Sequence, residues 1–143
     1  MSHTRAAALV EQVGAELRER GERMTGPRRA VLLALASLPG HPSVEDIHAA
    51  ADGGRLPRSS VYRALEALSA LGVVQHIHLG HGATAYHLRD TDPAHVHAEC
   101  RGCGAVLDLP ANALDPVVEH LASLGFRLDA AHTSLSGRCA DCR

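Results

Sequence analysis

Aromatic residues are scarce in this chain of 143 residues, which has two tyrosines, one phenylalanine and no tryptophan. A core must therefore be built from leucine, valine and alanine, which bury less area per side chain than aromatic rings do. A chain of this length forms one ordinary domain or two small ones, and two small ones with such cores need a staple or a partner. The scarcity of aromatics thus favours a structural metal or oligomerisation.

Long apolar runs are also absent. No stretch reaches the ~18 consecutive apolar residues of a membrane span, and the first residues lack the apolar segment of a secretion signal. These absences predict a cytoplasmic protein without a membrane partner. Because thiols stay reduced in the cytosol, the four cysteines are not expected to form structural disulfides.

Lysine is missing altogether, so all 14 basic residues are arginines. Residues 1–75 carry nine arginines and eight acids, a formal charge of +1, whereas residues 76–143 carry five arginines and eight acids, a formal charge of −3. This asymmetry is compatible with DNA binding by the first half, provided that its arginines share one face.

Hydrophobic periodicity predicts helices and a hairpin in the first half of the chain. Thr25 and Ser43 each precede apolar residues at helical spacing and are predicted to be N-caps. Helices are predicted at residues 5–20, 26–38, 44–51 and 59–71, and hairpin strands at 73–79 and 83–88. This order is typical of a winged helix-turn-helix DNA-binding domain with one extra helix in front, here residues 1–88.

A polar segment that contains a proline, residues 89–93, is interpreted as a hinge. Residues 94–143 then form a second domain. Its strands are predicted at 95–100, at 105–109, and around Phe126 and Ser134, and its helix at 114–124. The pattern of short strands and one helix predicts a small α+β unit.

The four cysteines form two pairs, Cys100-x-x-Cys103 and Cys139-x-x-Cys142. Two-residue spacing lets one turn present both thiolates to one ion, and two such pairs complete a closed tetrahedral zinc site. A redox pair is the alternative, but a thioredoxin-like motif needs no second pair. The fold class is therefore predicted as α+β: an N-terminal winged helix-turn-helix domain and a small C-terminal α+β dimerisation domain with a structural zinc site made of four cysteines.

Histidine is abundant, with 11 residues, and two pairs have the spacing His-x-His. His76 and His78 lie in the first hairpin strand, and His95 and His97 in the first strand of the second domain. Side chains i and i+2 of a strand share a face with Cα atoms about 6–7 Å apart, so each pair is either half of a metal site or a pair of solvated side chains. Further candidate ligands are His41, His87, His132 and Asp108.

A ligand set rich in imidazoles and poor in carboxylates suits nickel, zinc or ferrous iron better than magnesium or calcium. Ligands from both halves that share one ion would fix the angle between the halves, which is a mechanism for a metal switch. His3, His48 and His120 are expected on the tail or on helix surfaces, and His81 at the hairpin tip.

Several motifs occur in a characteristic order. They are Arg23-Met24-Thr25-x-x-Arg28, His41-Pro42, Ser60-Val61-Tyr62-Arg63-Ala64-Leu65, His95-x-His97-x-x-Cys100-x-x-Cys103 and the terminal cysteine pair. Together they resemble the ferric uptake regulator family over nearly the whole chain. The resemblance implies a metal-responsive transcription repressor that binds an inverted-repeat operator in double-stranded DNA as a homodimer, with no small organic substrate.

Within that family, the segment from His76 to Gly82 is most similar to nickel-responsive members. The resemblance implies a regulatory Ni²⁺ site, with Zn²⁺ or Fe²⁺ as alternative ions, whose ligands are His76, His78 and His132. It also implies a second metal site, whose candidate ligands are His41, His87, His95, His97 and Asp108.

Two departures from the family pattern bear on the choice of metal. Pro93 stands where nickel-responsive members have a further histidine, so the second site needs His87, Asp108, Asp92 or water instead. Position 87 is an acid in iron- and peroxide-sensing members, and zinc sensors generally add a cysteine to their sensory site. Sensing of zinc, iron or peroxide nevertheless stays an alternative to sensing of nickel.

The start of the fourth predicted helix carries side chains that suit DNA. Arg63 can pair bidentately with guanine, and Tyr62 can contact a thymine methyl group or a phosphate. Arginines elsewhere in the first half, including Arg29, are expected to contact phosphates. The candidate DNA-binding residues are Arg23, Thr25, Arg28, Arg58, Ser59, Ser60, Tyr62 and Arg63.

A metallohydrolase and a zinc-ribbon interaction protein are the rival functions. An open site at His95 and His97 could activate water, but the sequence has no nucleophile elbow and no phosphate loop, so the chain is not predicted to be an enzyme. An interaction protein that binds no DNA would leave the winged-helix pattern and the arginines of the fourth helix unexplained.

Overall fold

The computed structural model describes residues 3–78, 84–89, 95–129 and 133–142. Two compact units make up the chain: unit 1 comprises Met1–His76 and Thr84–Asp90, and unit 2 comprises Ile77–Ala83 and Thr91–Arg143. The predicted hinge, apart from Arg89, lies outside the described residues, so the domain boundaries stay a prediction. Among the helices of the described ranges, none is long and apolar enough to cross a membrane.

Unit 1 contains four helices that begin at recognisable sequence signals. They are α1 (His3–Glu19), α2 (Gly26–Ser37), α3 (Val44–Ala50) and α4 (Arg58–Ala70), with a 3-10 turn at Ala51–Gly54 after α3. Thr25 caps α2 by accepting a hydrogen bond from the backbone N–H of Arg28, and Ser43 forms a capping box with Asp46. Both caps agree with the sequence prediction.

The core of unit 1 is aliphatic, in keeping with the scarcity of aromatics. Leu17 of α1, Leu32 of α2, Ile47 of α3, and Leu65 and Leu68 of α4 are fully buried. Burying one such side chain contributes about 1.5–3 kcal/mol to stability. These contacts fix which face of α4 packs inward and therefore which of its residues are exposed.

A two-stranded sheet follows α4, in which β1 (Val74–His78) pairs with β2 (Thr84–Leu88). The tip of the predicted hairpin, with His81, lies outside the described residues. Strand β2 is attached to the start of α3: the backbone N–H of Tyr86 donates to the carbonyl of Pro42 at 3.0 Å, and Ser43 forms a β-bridge with Ala85. Strand β2 is thus held against the helices of unit 1.

Unit 2 is built around a three-stranded sheet. Strand β3 (His95–Cys100) lies between β4 (Val106–Pro110) and β5 (Ser134–Gly137), antiparallel to β4 and parallel to β5. A 3-10 turn at Ala111–Leu114 leads into α5 (Asp115–Ser123). This mixture of helices and strands confirms the predicted α+β class.

The strand predicted around Phe126 is wrong. Gly125 has a φ of 77° and donates its N–H to the carbonyl of Ala122 at 3.0 Å, while the N–H of Phe126 donates to the carbonyl of Leu121 at 2.9 Å. These two bonds form a Schellman motif that ends α5. The backbone N–H of Phe126 therefore pairs with a carbonyl at the end of α5, and strand β5 begins later, at Ser134.

Candidate functional site

The four cysteines converge at one end of the unit 2 sheet. Cys100 ends β3, Cys103 lies in the following turn, and Cys139 and Cys142 follow β5. Their sulfur atoms all lie within 4.8 Å of one another, and the Cys103 and Cys139 sulfurs are 3.8 Å apart. Four sulfurs that surround zinc tetrahedrally at about 2.3 Å are about 3.8 Å apart. The cluster could therefore hold a zinc ion.

Backbone N–H groups stabilise the thiolate of Cys100. The N–H of Cys139 donates to its sulfur at 3.2 Å and that of Gly102 at 3.4 Å. Hydrogen bonds from the backbone N–H groups of Cys139, Cys103 and Gly102 lower the pKa of Cys100 to about 6. Neighbouring sulfurs, first that of Cys139, raise the pKa of Cys142 to about 12. A doubly charged cation is the natural way to keep all four groups deprotonated together.

The turn between Cys100 and Cys103 has no room for another carbon atom. A Cβ added at Gly102 would lie 2.7 Å from the Cβ of Cys142 and 2.9 Å from its sulfur. Glycine is required here by this close approach of the two cysteine pairs. Sequence analysis did not single out Gly102, although its place between two of the four cysteines was the available signal.

A second group of candidate ligands in unit 2 lies on neighbouring strands. His97 is buried and faces Asp108 across the β3–β4 register, and its Nδ1 is 2.8 Å from the Asp108 Oδ1. A carboxylate that is hydrogen-bonded to one ring nitrogen fixes the orientation of an imidazole, as it does for histidines that bind metals. The backbone of His95 lies two residues earlier on β3, whereas its side chain lies outside the description.

Further candidate ligands lie on the hairpin and beside it. His41 and His87 meet edge to face, with ring centroids 5.5 Å apart and an interplanar angle of 79°. His76 and His78 share one face of β1, and both are exposed. The ring centroid of His76 is 6.3 Å from that of Tyr86. His132, the third predicted regulatory ligand, lies outside the described residues.

The first turns of α4 present polar side chains to solvent. Ser59 and Arg63 are exposed, and Tyr62 has 49% of its surface accessible although it adjoins the buried Val61. The carboxylate of Glu45 lies 3.6 Å from the guanidinium of Arg58, in an exposed pair. An exposed tyrosine and arginine on a helix whose other face is anchored in the core are well suited to contact a ligand.

A cleft of about 620 Å³ joins this part of α4 to the start of α2. Its lining includes Arg23, Thr25 and Arg28 from the α1–α2 region and Ser60 and Arg63 from α4. Five of the eight candidate DNA-binding residues therefore line one surface of unit 1. The hydroxyl of Thr25 is engaged as the cap of α2, however, and Arg28 is engaged by its neighbours.

Sequence reasoning missed two contacts of unit 1. The Nε2 of His48 lies 2.8 Å from the carbonyl oxygen of Leu56, so this histidine fastens α3 to the segment before α4. Glu22 lies 2.6 Å from the guanidinium of Arg28. The partners are eight and six residues apart across irregular segments, and no periodic pattern of the sequence marks them.

Comparison with known proteins shows what this architecture belongs to. The family model of the ferric uptake regulator family matches residues 19–135. The chain belongs to this family. The transcriptional regulator FurA of Mycobacterium tuberculosis is 36% identical over 131 residues, covering 89% of this chain and 87% of that protein. The peroxide operon regulator of Bacillus subtilis is 30% identical over 141 residues, covering 96% and 95%.

Solved structures of the ferric uptake regulator family share the fold. The regulator Fur of Helicobacter pylori, which has three functional metal-binding sites, matches with a TM-score of 0.78 at 19% identity over 96% of this chain and 93% of that one. A zinc uptake regulator in complex with zinc and DNA matches with a TM-score of 0.62 at 25% identity, over 96% and 94%. The relatives are named as regulators, which confirms the prediction that the chain is not an enzyme.

Proposed function

We propose that this chain is a metal-responsive repressor that binds an inverted-repeat DNA operator as a homodimer, that its structural ion is zinc, and that its regulatory ion is nickel. The observation that carries the proposal is the cleft between α2 and α4, whose lining includes the exposed arginines Arg23 and Arg63. A related zinc uptake regulator is known in complex with DNA. The proposed location of the protein is the cytoplasm.

The use of cysteines in the proposed structural site and of histidines in the proposed regulatory site supports nickel as the signal. All four cysteines of the chain converge in one closed cluster of unit 2, which suits structural zinc. The proposed regulatory site, His76, His78 and His132, is left with imidazoles alone, and nitrogen ligands suit nickel. The proposed second site has the candidate ligands His41, His87, His95, His97 and Asp108.

Exposed apolar side chains support the homodimer. Phe126 has 57% of its surface accessible and Leu124 69%, and every residue of α5 is at least partly exposed. Large apolar side chains gathered on one small unit are typical of a surface that a second copy covers. The dimer is expected to form through unit 2, which would present two copies of α4 to the two halves of an inverted repeat.

The regulatory metal is tested by titrating DNA affinity with one ion at a time. Protein that retains its zinc is mixed with operator DNA and with nickel, zinc, ferrous or manganous ions, and its affinity is measured by fluorescence anisotropy. We expect nickel to strengthen binding by about 5–150-fold, the range of typical allosteric coupling. His76→Ala and His78→Ala should abolish this response.

The matched control is Gln75→Ala, which removes an exposed side chain of the same strand, β1, and should keep the nickel response. A response to zinc or ferrous ions alone would replace nickel as the signal. If peroxide released the DNA and no added ion changed its affinity, redox sensing would take its place. Sedimentation of the saturated complex should show two protomers for each inverted repeat.

Replacing Arg63 tests the proposal that α4 contacts the bases of the operator. Because Arg63 is exposed beside Ser60 in the cleft, Arg63→Ala should weaken binding to the operator by about 1–3 kcal/mol and leave binding to random DNA almost unchanged. The measurement is a pair of titrations, one with operator and one with random duplex. Equal losses on both would show that Arg63 contacts phosphates only.

A further inference from the structure

Arg28 is occupied inside unit 1. Its Nη2 donates to the Oε2 of Glu22 at 2.6 Å, and its Nη1 donates to the backbone carbonyl of Arg23 at 2.9 Å. Only 19% of the Arg28 side chain is accessible, against 47% for Glu22. Two nitrogens of the guanidinium therefore donate hydrogen bonds within the protein, and the carboxylate of Glu22 balances its charge.

Both ends of this contact are fixed by the backbone. Glu22 donates its N–H to the carbonyl of Leu17 at 2.9 Å, which ties it to the end of α1 next to Gly21, whose φ is 74°. Arg28 lies in the first turn of α2, where Thr25 caps its backbone N–H. The contact therefore links the end of one helix to the start of the next.

Arg23 follows Glu22 directly, is exposed, and lines the cleft with Ser60 and Arg63. The hydrogen bond from Arg28 reaches the carbonyl of Arg23 itself, so it fixes the peptide from which the Arg23 side chain departs. A phosphate that recruited Arg28 would have to break two short hydrogen bonds, one of them to a carboxylate. Because its guanidinium already makes these hydrogen bonds, Arg28 is better suited to position Arg23 than to bind DNA itself.

We propose that Glu22 and Arg28 form an internal clamp that positions Arg23 at the DNA-facing cleft, and that Arg28 acts through Arg23 without contacting phosphate itself. The inference rests on the DNA-binding part of the proposed function. It replaces the sequence-based expectation that Arg28 contacts phosphate, and it gives Glu22, an acid beside a DNA-facing surface, a part in binding.

A double-mutant cycle with salt titrations tests the clamp. Affinity for the operator is measured over a range of potassium chloride concentrations for the wild type, Arg23→Ala, Arg28→Ala and the double variant. Arg23→Ala should reduce the slope of log affinity against log salt by about 0.9 for each phosphate that Arg23 neutralises in the wild type. Arg28→Ala should weaken binding about fivefold, the size of a typical pairwise coupling, and in the Arg23→Ala background it should cost almost nothing.

Conservative variants give a second readout that is independent of the alanine variants. Arg28→Lys keeps the charge but cannot bond Glu22 and the Arg23 carbonyl together in the same fork, so it should bind DNA as weakly as Arg28→Ala. Glu22→Gln removes a negative charge near DNA, which by simple electrostatics strengthens binding. Under the clamp it should weaken binding instead. Thermal unfolding of each variant verifies that the compared proteins are folded.

Two results would overturn the clamp. One is an equal cost of Arg28→Ala in the presence and absence of Arg23, accompanied by a decrease of about 0.9 in salt slope. The other is full rescue by Arg28→Lys. These results are distinct from failure of the proposed function, in which the wild type itself would not prefer operator over random DNA under any metal condition.

Discussion

Removing the proposed zinc ion from the four-cysteine cluster is expected to unfold unit 2 and to leave the helices of unit 1 folded. Of the described apolar side chains in β3, β4, α5 and the 3-10 turn before α5, only Val96, Cys100 and Leu114 are buried, so this unit has little core of its own. Zinc binding to small domains contributes an apparent ~10–16 kcal/mol at neutral pH, which matches or exceeds the ~5–15 kcal/mol stability of whole domains. Without the ion, the thiols cannot hold the end of β5 beside the end of β3.

The measurement is hydrogen exchange after treatment with a chelator and a mild oxidant, with metal content determined in parallel. About one zinc per chain should be released. Amides of β3 should lose protection while those of α2 and α4 keep it. The double variant Cys100→Ser with Cys139→Ser should behave like the treated wild type. A double variant that retained all of its zinc and the protection of β3 would contradict the assignment of the cluster.

Replacing Gly102 with alanine is expected to weaken zinc binding, although it removes none of the four cysteines. The added methyl group would lie 2.7 Å from the Cβ of Cys142, nearer than real Cβ atoms approach, so one of the two cysteine turns must move. Zinc geometry tolerates displacement of a sulfur poorly, and disturbance around a site typically costs 10–100-fold in metal affinity. Competition with a zinc-binding dye should therefore show a decrease of at least about tenfold.

Gly137 offers a matched control within the same unit. A Cβ added there would meet no atom within 4 Å, and Gly137 lies two residues before Cys139, close to the second cysteine pair. Gly137→Ala should keep wild-type zinc affinity. If the two variants bound zinc equally well, the close approach at Gly102 would have no bearing on the metal.

Features encoded by local sequence could be predicted. The capping box of Ser43 and Asp46 involves residues three apart, and its geometry follows from backbone rules that hold in any helix. The convergence of Cys100 and Cys139 was predicted across a longer separation because the chemistry of zinc requires four ligands. In both cases a general geometric or chemical rule sufficed without knowledge of the tertiary structure.

Features that depend on how segments meet could not be predicted. The pairing of His97 with Asp108 needs the register of β3 against β4, which is set by the whole sheet. The bond between Glu22 and Arg28 needs the angle between α1 and α2. At Phe126, a Schellman motif at the end of α5 and a β-strand are alternative backbone conformations. The preference of phenylalanine for β structure could not show which of the two the chain adopts.

The hydrogen bond from the backbone N–H of Tyr86 to the carbonyl of Pro42 bears on the entropy cost of binding an ion at the proposed second metal site. It lies between His41 and His87, one residue from each along the chain, and holds two histidines that are far apart in sequence on one rigid framework. A ligand pair that is assembled before the ion arrives loses little conformational entropy on binding. As candidate ligands of the proposed second metal site, His41 and His87 would therefore lose little conformational entropy on binding an ion.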